Sequence, residues 1–302
     1  MFEEINQILL DPNCSIELFF SRKLSDEYIS YSPNLGDNVI GKITEVVSTN
    51  LHYLQRAELD EVDFNPIGYM DGTIEICDYD FVGNYQEVIQ SFRDPVTEDI
   101  EDEYDNLSFY CVQLQTEGVS IRIFRRVTKF KKLYSKGFLA AFRDNQLNVI
   151  DSKMLGIDGD IDIIDYNNQL YIFKHISLER IFKIDEQYNE QARASLDELR
   201  ENRKIANFDS FEEDCLNDKR VQKTLTKMQN ENIDLATCFN NFDSVVDTIN
   251  LFSLEIEYQE APEEKIIYEN KSQLMPILQL ARDSYYRTLI HDNLGVDNKI
   301  GN

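Results

Sequence analysis

At 302 residues, with 42% hydrophobic content, 16 Tyr and 18 Phe, the chain has the composition of a folded protein with one large or two ordinary domains, and not that of a disordered acidic tail. Its 56 acids against 30 Lys and Arg leave a formal net charge of -26, and a surface of that sign repels nucleic acid and anionic lipid unless positive charge is concentrated locally. Five cysteines (Cys14, Cys77, Cys111, Cys215 and Cys238) are odd in number and far apart, without a CxxC pair, so neither a disulfide framework nor a zinc ribbon is expected and a reducing cytosol fits best.

The first residues, MFEEINQILLDPNC, carry acids where a signal peptide has a basic region, and EEINQILL reads as a short helix. No stretch of the sequence has the ~20 apolar residues of a membrane span. A cytoplasmic protein is expected, one that meets a membrane only through a partner. IELFFSRKL reads as a strand, and a helix over 37–55 places Val39, Ile40, Ile43, Val46, Val47, Leu51 and Leu54 at helical spacing. TIEIC is a further strand and VGNYQEVIQSF a helix.

DPVTEDIEDEYDN, residues 94–106, is dense in acids and reads as a solvated loop dividing an N-terminal α/β region, 1–106, from an α+β region, 107–302. From Leu107 the pattern turns to strands: SFYCVQLQ, VSIRIFRRV, GFLAAFR, LNVID, IDIIDY and QLYIFK. Their short connections favour an antiparallel meander, with GFLAAF returning to the sheet. Beyond His175 helices dominate, at 185–202 and 218–230, then a strand pair in SLEIEYQEAPEEKIIYEN and a last helix over 272–290 that includes Tyr285 and Leu289. The fold class expected is α+β, a central, mostly antiparallel sheet flanked by helices.

Catalytic signatures are few. His52, His175 and His291 sit in unrelated contexts that favour structural or surface roles, and the sequence has no HExxH, GxSxG or Walker-type loop. In DGDIDIID, alternation puts Asp158, Asp160 and Asp162 on one side, and a hairpin would bring Asp162 or Asp165 near Lys174, the minimum for a metal-dependent nuclease. A calcium loop is not supported, because Gln169 stands where the twelfth-position Glu would be.

The charge anomaly is GVSIRIFRRVTKFKKLYSKGFLAAFR, 118–143: eight cations and no acid. As a strand, VSIRIFRRV points Ile121, Ile123 and Arg125 one way and Arg122, Phe124 and Arg126 the other. KFKKLYSKG then presents Lys129, Lys131, Lys132 and Lys136 with Phe130 and Tyr134 interleaved, a pattern suited to phosphates and bases. The bland reading is that these cations neutralise the fold's own carboxylates.

The order of these features resembles a known family. The basic β segment, KGFLAAFRDNQLNVIDSKMLGIDGDIDIIDYNNQLYIFKHISLERIFKIDEQYNEQA and the final LMPILQLARDSYYRTLI are similar to the family that includes the B protein of the Kiwa anti-phage system. The likeness rests on Ile164 and Asp165, the Asn167–Asn168 turn, LYIFK, and Phe182 and Tyr188 in LERIFKIDEQYNEQA, and covers about 107–290. It implies a cytosolic DNA-binding effector that works beside a small membrane-embedded A protein, restrains phage replication or transcription, and forms a homodimer or larger homo-oligomer.

Together these readings predict nonspecific double-stranded DNA binding through Arg122, Arg125, Arg126, Lys129, Lys131, Lys132 and Lys136, with no catalytic residue, metal or cofactor. The alternative is an acidic interaction protein or DNA mimic that recruits or blocks a basic partner. A weaker third reading is a metal-dependent nuclease using Asp160, Asp162 and Asp165.

Overall fold

The computed structural model describes residues 1–25, 27–68, 70–96, 100, 103–129, 140–143, 146–150 and 155–297, with backbone alone at 128–129 and 142–143. The chain folds as two compact units, Met1–Val62 with Asp71–Ile184, and Asp63–Met70 with Asp185–Asn302. The expected boundary at 106/107 therefore falls inside the first unit.

The sheet explains why. Its strands are β1 (Ser15–Leu24), β2 (Glu27–Tyr31), β3 (Asp60–Asp63), β4 (Thr73–Asp78), β5 (Phe109–Thr116) and β6 (Val119–Arg126). The short strands β7 (Thr128–Lys129), β8 (Ala140–Arg143), β9 (Gln146–Val149) and β10 (Leu155–Gly156) stand outside it, and β11 (Ile163–Tyr166) and β12 (Gln169–Ile172) complete it. The order is β2-β1-β5-β6-β11-β12-β4-β3, eight strands, with every ladder from β2 to β4 antiparallel. Residues before 79 supply both edges and residues after 108 the centre, so neither stretch makes this sheet alone.

The acidic 94–106 stretch is pinned to the edge at its ends instead of linking separate bodies. The Val96 N–H donates to Ser30 O (2.8 Å), Glu103 pairs with Arg22 (3.2 Å), and Tyr104 is buried.

Helices cover both faces. On one, the cross-strand row Leu18–Val112–Ile123–Ile164 packs with Ile5 and Leu9 of α1 (Phe2–Leu9) and Ile43, Val47 and Leu51 of α2 (Asp37–Arg56). On the other, the row Phe19–Cys111–Phe124–Ile163 meets α3 (Tyr85–Arg93) and α4 (His175–Phe182) through ring contacts, Phe19 on Phe92 at 4.7 Å and Phe124 on Phe182 at 5.4 Å. Burial of such rings is the main stabilising term, about 1.5–3 kcal/mol per large side chain. A sheet buried on both faces also forces any polar side chain on β6 to find an internal partner.

Of the expected strand GFLAAFR, residues 137–139 lie outside the described residues, and AAFR does not return to this sheet. β8 pairs antiparallel with β9 (Ala140 opposite Val149), because β11 already occupies the edge of β6, with Ile163 opposite Phe124. A two-residue ladder between β7 and β10, Lys129 opposite Leu155, closes the neck of this insertion.

The second unit is helical, with α5 (Ile184–Asn202), α6 (Phe208–Leu216), α7 (Lys219–Asn230), α8 (Phe242–Leu251) and α9 (Leu274–Ala281). Its core includes Leu196, Phe211, Leu225, Phe239 and Ile277. A small sheet joins β13 (Ile205–Ala206), β15 (Lys265–Ile267) and β14 (Glu257–Gln259), the latter two being the expected strand pair.

The last helix stops at Ala281, short of the expected 290. Asp283 takes a left-handed conformation (φ 55°), its N–H donates to Leu280 O (3.1 Å), and the Ser284 N–H donates to Gln279 O (2.9 Å). That is the Schellman pattern of helix termination. Tyr285 then begins β16 (Tyr285–Arg287), which pairs with β17 (Leu294–Val296).

Asp218 caps α7, accepting from the Arg220 N–H (2.8 Å) and the Val221 N–H (3.3 Å). Asp218→Ala is expected to cost about 1 kcal/mol in urea denaturation, with Asp218→Ser recovering most of it.

Candidate nucleic-acid interface

The pleat of β6 sends Arg122 and Arg125 to opposite faces, as the alternation predicts. Each then meets carboxylates. Arg122 lies in a polar row that crosses four strands, Glu17–Gln113–Arg122–Asp165, each residue opposite the next. Gln113 Nε2 donates to Glu17 (2.9 Å), Arg122 Nε to Gln113 (3.0 Å) and Arg122 Nη1 to Asp165 Oδ2 (2.7 Å). Tyr85, from α3, donates its O–H to the same Asp165 oxygen at 2.5 Å. Burial raises the Tyr85 hydroxyl's pKa, and the Asp165 carboxylate raises it further, so the proton stays on the phenol. For Arg122, burial pulls down, but the hydrogen bond and charge of Asp165 outweigh it and the guanidinium's pKa is raised.

Arg125 is held by three carboxylates. Nε and Nη2 form a fork on Asp158 (2.8 and 2.9 Å), Nη2 also reaches Asp160 (3.2 Å), and Nη1 donates to Asp162 (2.7 Å). Asp162 is fully buried, and its second oxygen accepts the Arg126 backbone N–H at 3.0 Å. The hydrogen bond to Asp158 is the largest influence on Arg125 and raises its pKa against the opposing effect of burial. Bidentate pairs of this kind are the strong class of ionic hydrogen bond.

These contacts dismantle the carboxylate cluster proposed for a nuclease. Asp160 and Asp162 grip Arg125 on one face of the sheet, while Asp165 grips Arg122 on the other. Lys174 lies 3.9 Å from Asp160. Among the described residues, no group of three or more His, Cys, Asp or Glu is arranged to hold a metal ion.

Arg122 and Arg125 therefore each have carboxylate partners within the fold, Asp165 for the first and Asp158, Asp160 and Asp162 for the second. Arg126 is exposed at the end of β6 and has no ion pair among the described residues. The backbone of Lys129 lies in β7. Lys131, Lys132 and Lys136 lie outside the described residues. What is left of the basic window starts at the end of a central strand whose inner cations are neutralised.

His52 Nδ1 contacts Ser48 O (2.9 Å) within α2, His291 is exposed, and His175 is buried between Glu75 (2.7 Å) and Glu179 (3.5 Å). Tyr85 and Gln113 complete the Arg122 site. Nothing local to them signals the role, since each is brought in by an element that only the tertiary fold places there.

Comparison with known proteins agrees with the sequence-level likeness. No curated protein and no solved structure matches the chain. The family described as Kiwa protein KwaB-like matches over residues 104–291, well over half of the sequence, a span that takes in β5, β6, β11 and β12 with most of the second unit. The chain belongs to the Kiwa protein KwaB-like family, and that membership ties it to Kiwa anti-phage defence.

Proposed function

We propose that the protein is a DNA-binding effector of Kiwa-type defence, acting by binding and not by catalysis, and restraining phage replication or transcription beside a small membrane-embedded partner. The observation that carries this reading is the acid-free stretch from Arg126 to Lys136, with Arg126 exposed and unpaired among the described residues while Arg122 and Arg125 are paired with carboxylates of the fold. In a protein of net charge -26, contact with a polyanion needs such a locally positive segment. A homodimer would set two of these segments along one duplex, the acidic remainder repelling DNA elsewhere.

Contacts of this type hold phosphates and read no sequence, so duplexes of unrelated sequence bind alike and affinity falls steeply with salt. The test is duplex binding across a salt series. Changing Lys129, Lys131 and Lys132 together to Gln is expected to reduce the log–log salt slope by about 3 and to weaken binding at low salt. Arg122 variants, once corrected for folding, leave the slope in place. Unchanged affinity in the triple variant overturns the reading.

The internal use of Arg122 and Arg125 favours one alternative, an acidic interaction protein or DNA mimic. That alternative requires wild type to bind no duplex and to compete with DNA for a basic protein.

A further inference from the structure

One cleft of the first unit combines features that the DNA reading does not use. It has a volume of about 400 Å³ and lies between α3 and the β5–β6 and β11–β12 turns. That size suits a small ligand, and its polar lining suits a polar one. Both turns are fixed by left-handed backbone, Gly118 (φ 83°) in one and Asn167 and Asn168 (φ 52° and 64°) in the other.

Two guanidinium groups line the cleft. Arg122 is mostly buried, at 17% side-chain exposure; Nε donates to Gln113 and Nη1 to Asp165, which leaves Nη2 without a hydrogen-bond partner among the described residues. Arg93, at the end of α3, is exposed and makes no ion pair among the described residues. Tyrosines aside, Asp165 is the one other ionisable group in the lining, so the cleft carries a net positive charge within a protein of -26.

An aromatic surface completes it. The ring of Tyr79 lines the cleft and is stacked on that of Tyr85, with centroids 5.0 Å apart and planes 29° apart. Tyr85 is in turn held by its hydrogen bond to Asp165, so the platform is tied to the same network that positions Arg122. Nearby, the exposed amides of Asn167 and Asn168 offer both donors and acceptors.

We infer that this cleft binds a mononucleotide, its phosphate on Arg122 Nη2 and Arg93, its base against Tyr79 and its polar edge at the Asn167–Asn168 turn. Arginine recognises phosphate through paired N–H groups, and every base offers a π-face to a tyrosine ring. A cleft of about 400 Å³ between a helix and two turns has room for a single nucleotide. The inference does not depend on the DNA reading, since Arg93 and Tyr79 lie outside the basic window.

The test is calorimetric titration of the full chain at low salt with AMP, GMP, CMP and UMP, and with inorganic phosphate and adenosine as fragments. At least one mononucleotide is expected to bind about tenfold or more tighter than either fragment. Arg93→Gln, a surface change that leaves the melting temperature in place, weakens it by about tenfold. Tyr79→Leu weakens it comparably and brings its affinity down towards that of phosphate. The inference is overturned if no mononucleotide saturates the protein at millimolar concentration, if phosphate alone binds as tightly as the nucleotides, or if Arg93→Gln leaves the affinity unchanged.

Discussion

Arg125→Ala is expected to destabilise the first unit by about 3–5 kcal/mol, read by urea denaturation with the m-value checked for two-state behaviour. The magnitude follows from what remains. Asp162 is fully buried, and without the guanidinium its carboxylate keeps, among the described residues, a single donor, the Arg126 N–H at 3.0 Å. An uncompensated buried carboxylate must either stay charged at a large cost or take up a proton. Arg125→Lys recovers only part of the loss, because one ammonium cannot reproduce the fork on Asp158 together with the bond to Asp162. A loss under about 1 kcal/mol would place the clasp among ordinary surface ion pairs.

A second readout separates structure from binding. The clasp ties the end of β6 to residues 158–162, across the insertion that starts at Val127. Opening it should speed proteolysis between 127 and 157, while duplex affinity per folded molecule stays at the wild-type value because the Arg125 side chain is used internally. Lys-to-Gln changes in the basic stretch are expected to give the opposite pattern, lost DNA affinity at full stability.

The sequence made the local elements readable and left their partners hidden. Alternation in β6 and helical spacing in α2 show up within ten to twenty residues, and both elements fold as expected. The edges of the sheet do not show up, because β1 pairs with β5 across some ninety residues, Phe20 opposite Tyr110, and periodicity specifies a strand's faces but not its neighbour. Apolar spacing continues through Tyr285 and Leu289 and so predicts too long a last helix, whereas the stop is a left-handed Asp283 where glycine would have been the recognisable signal.

The arginine site was more legible than composition suggested. Arg122 and Arg125 are three residues apart, as are Asp162 and Asp165. In antiparallel strands equal offsets bring both pairs together at once, and the observed register does so, with Asp165 opposite Arg122 and Ile163 opposite Phe124. The same three-residue offset places the two members of each pair on opposite faces. Net charge counts these arginines as a basic surface; register assigns them to the interior.

Between pH 6.5 and about 9 the first unit is expected to lose about 3 kcal/mol of stability, a loss that His175→Gln removes. His175 is 8% exposed, with Nδ1 2.7 Å from Glu75 and Nε2 3.5 Å from Glu179. Burial alone would lower its pKa, but the carboxylates of Glu179 and Glu75 beside the ring outweigh it and push it up to about 9. The folded protein thus keeps a proton that the unfolded chain releases near 6.5. Stability from this cluster is complete below that value and drains as pH rises through the folded value, the reverse of a paired carboxylate. Glu75 is on β4, towards one edge of the sheet, and His175 begins α4, so the cluster fastens a helix to strands far from it in sequence. Buried thiols add a slope of their own at the alkaline end: burial pushes Cys77 up to about 12, whereas an unfolded thiol ionises near 8.5. That contribution is common to wild type and variant and cancels in their difference. Urea midpoints at pH 6.0, 7.5 and 9.0 therefore isolate the histidine, and parallel curves for the two proteins would show that His175 is neutral in the fold and that the Glu75–His175–Glu179 cluster is held by hydrogen bonds alone.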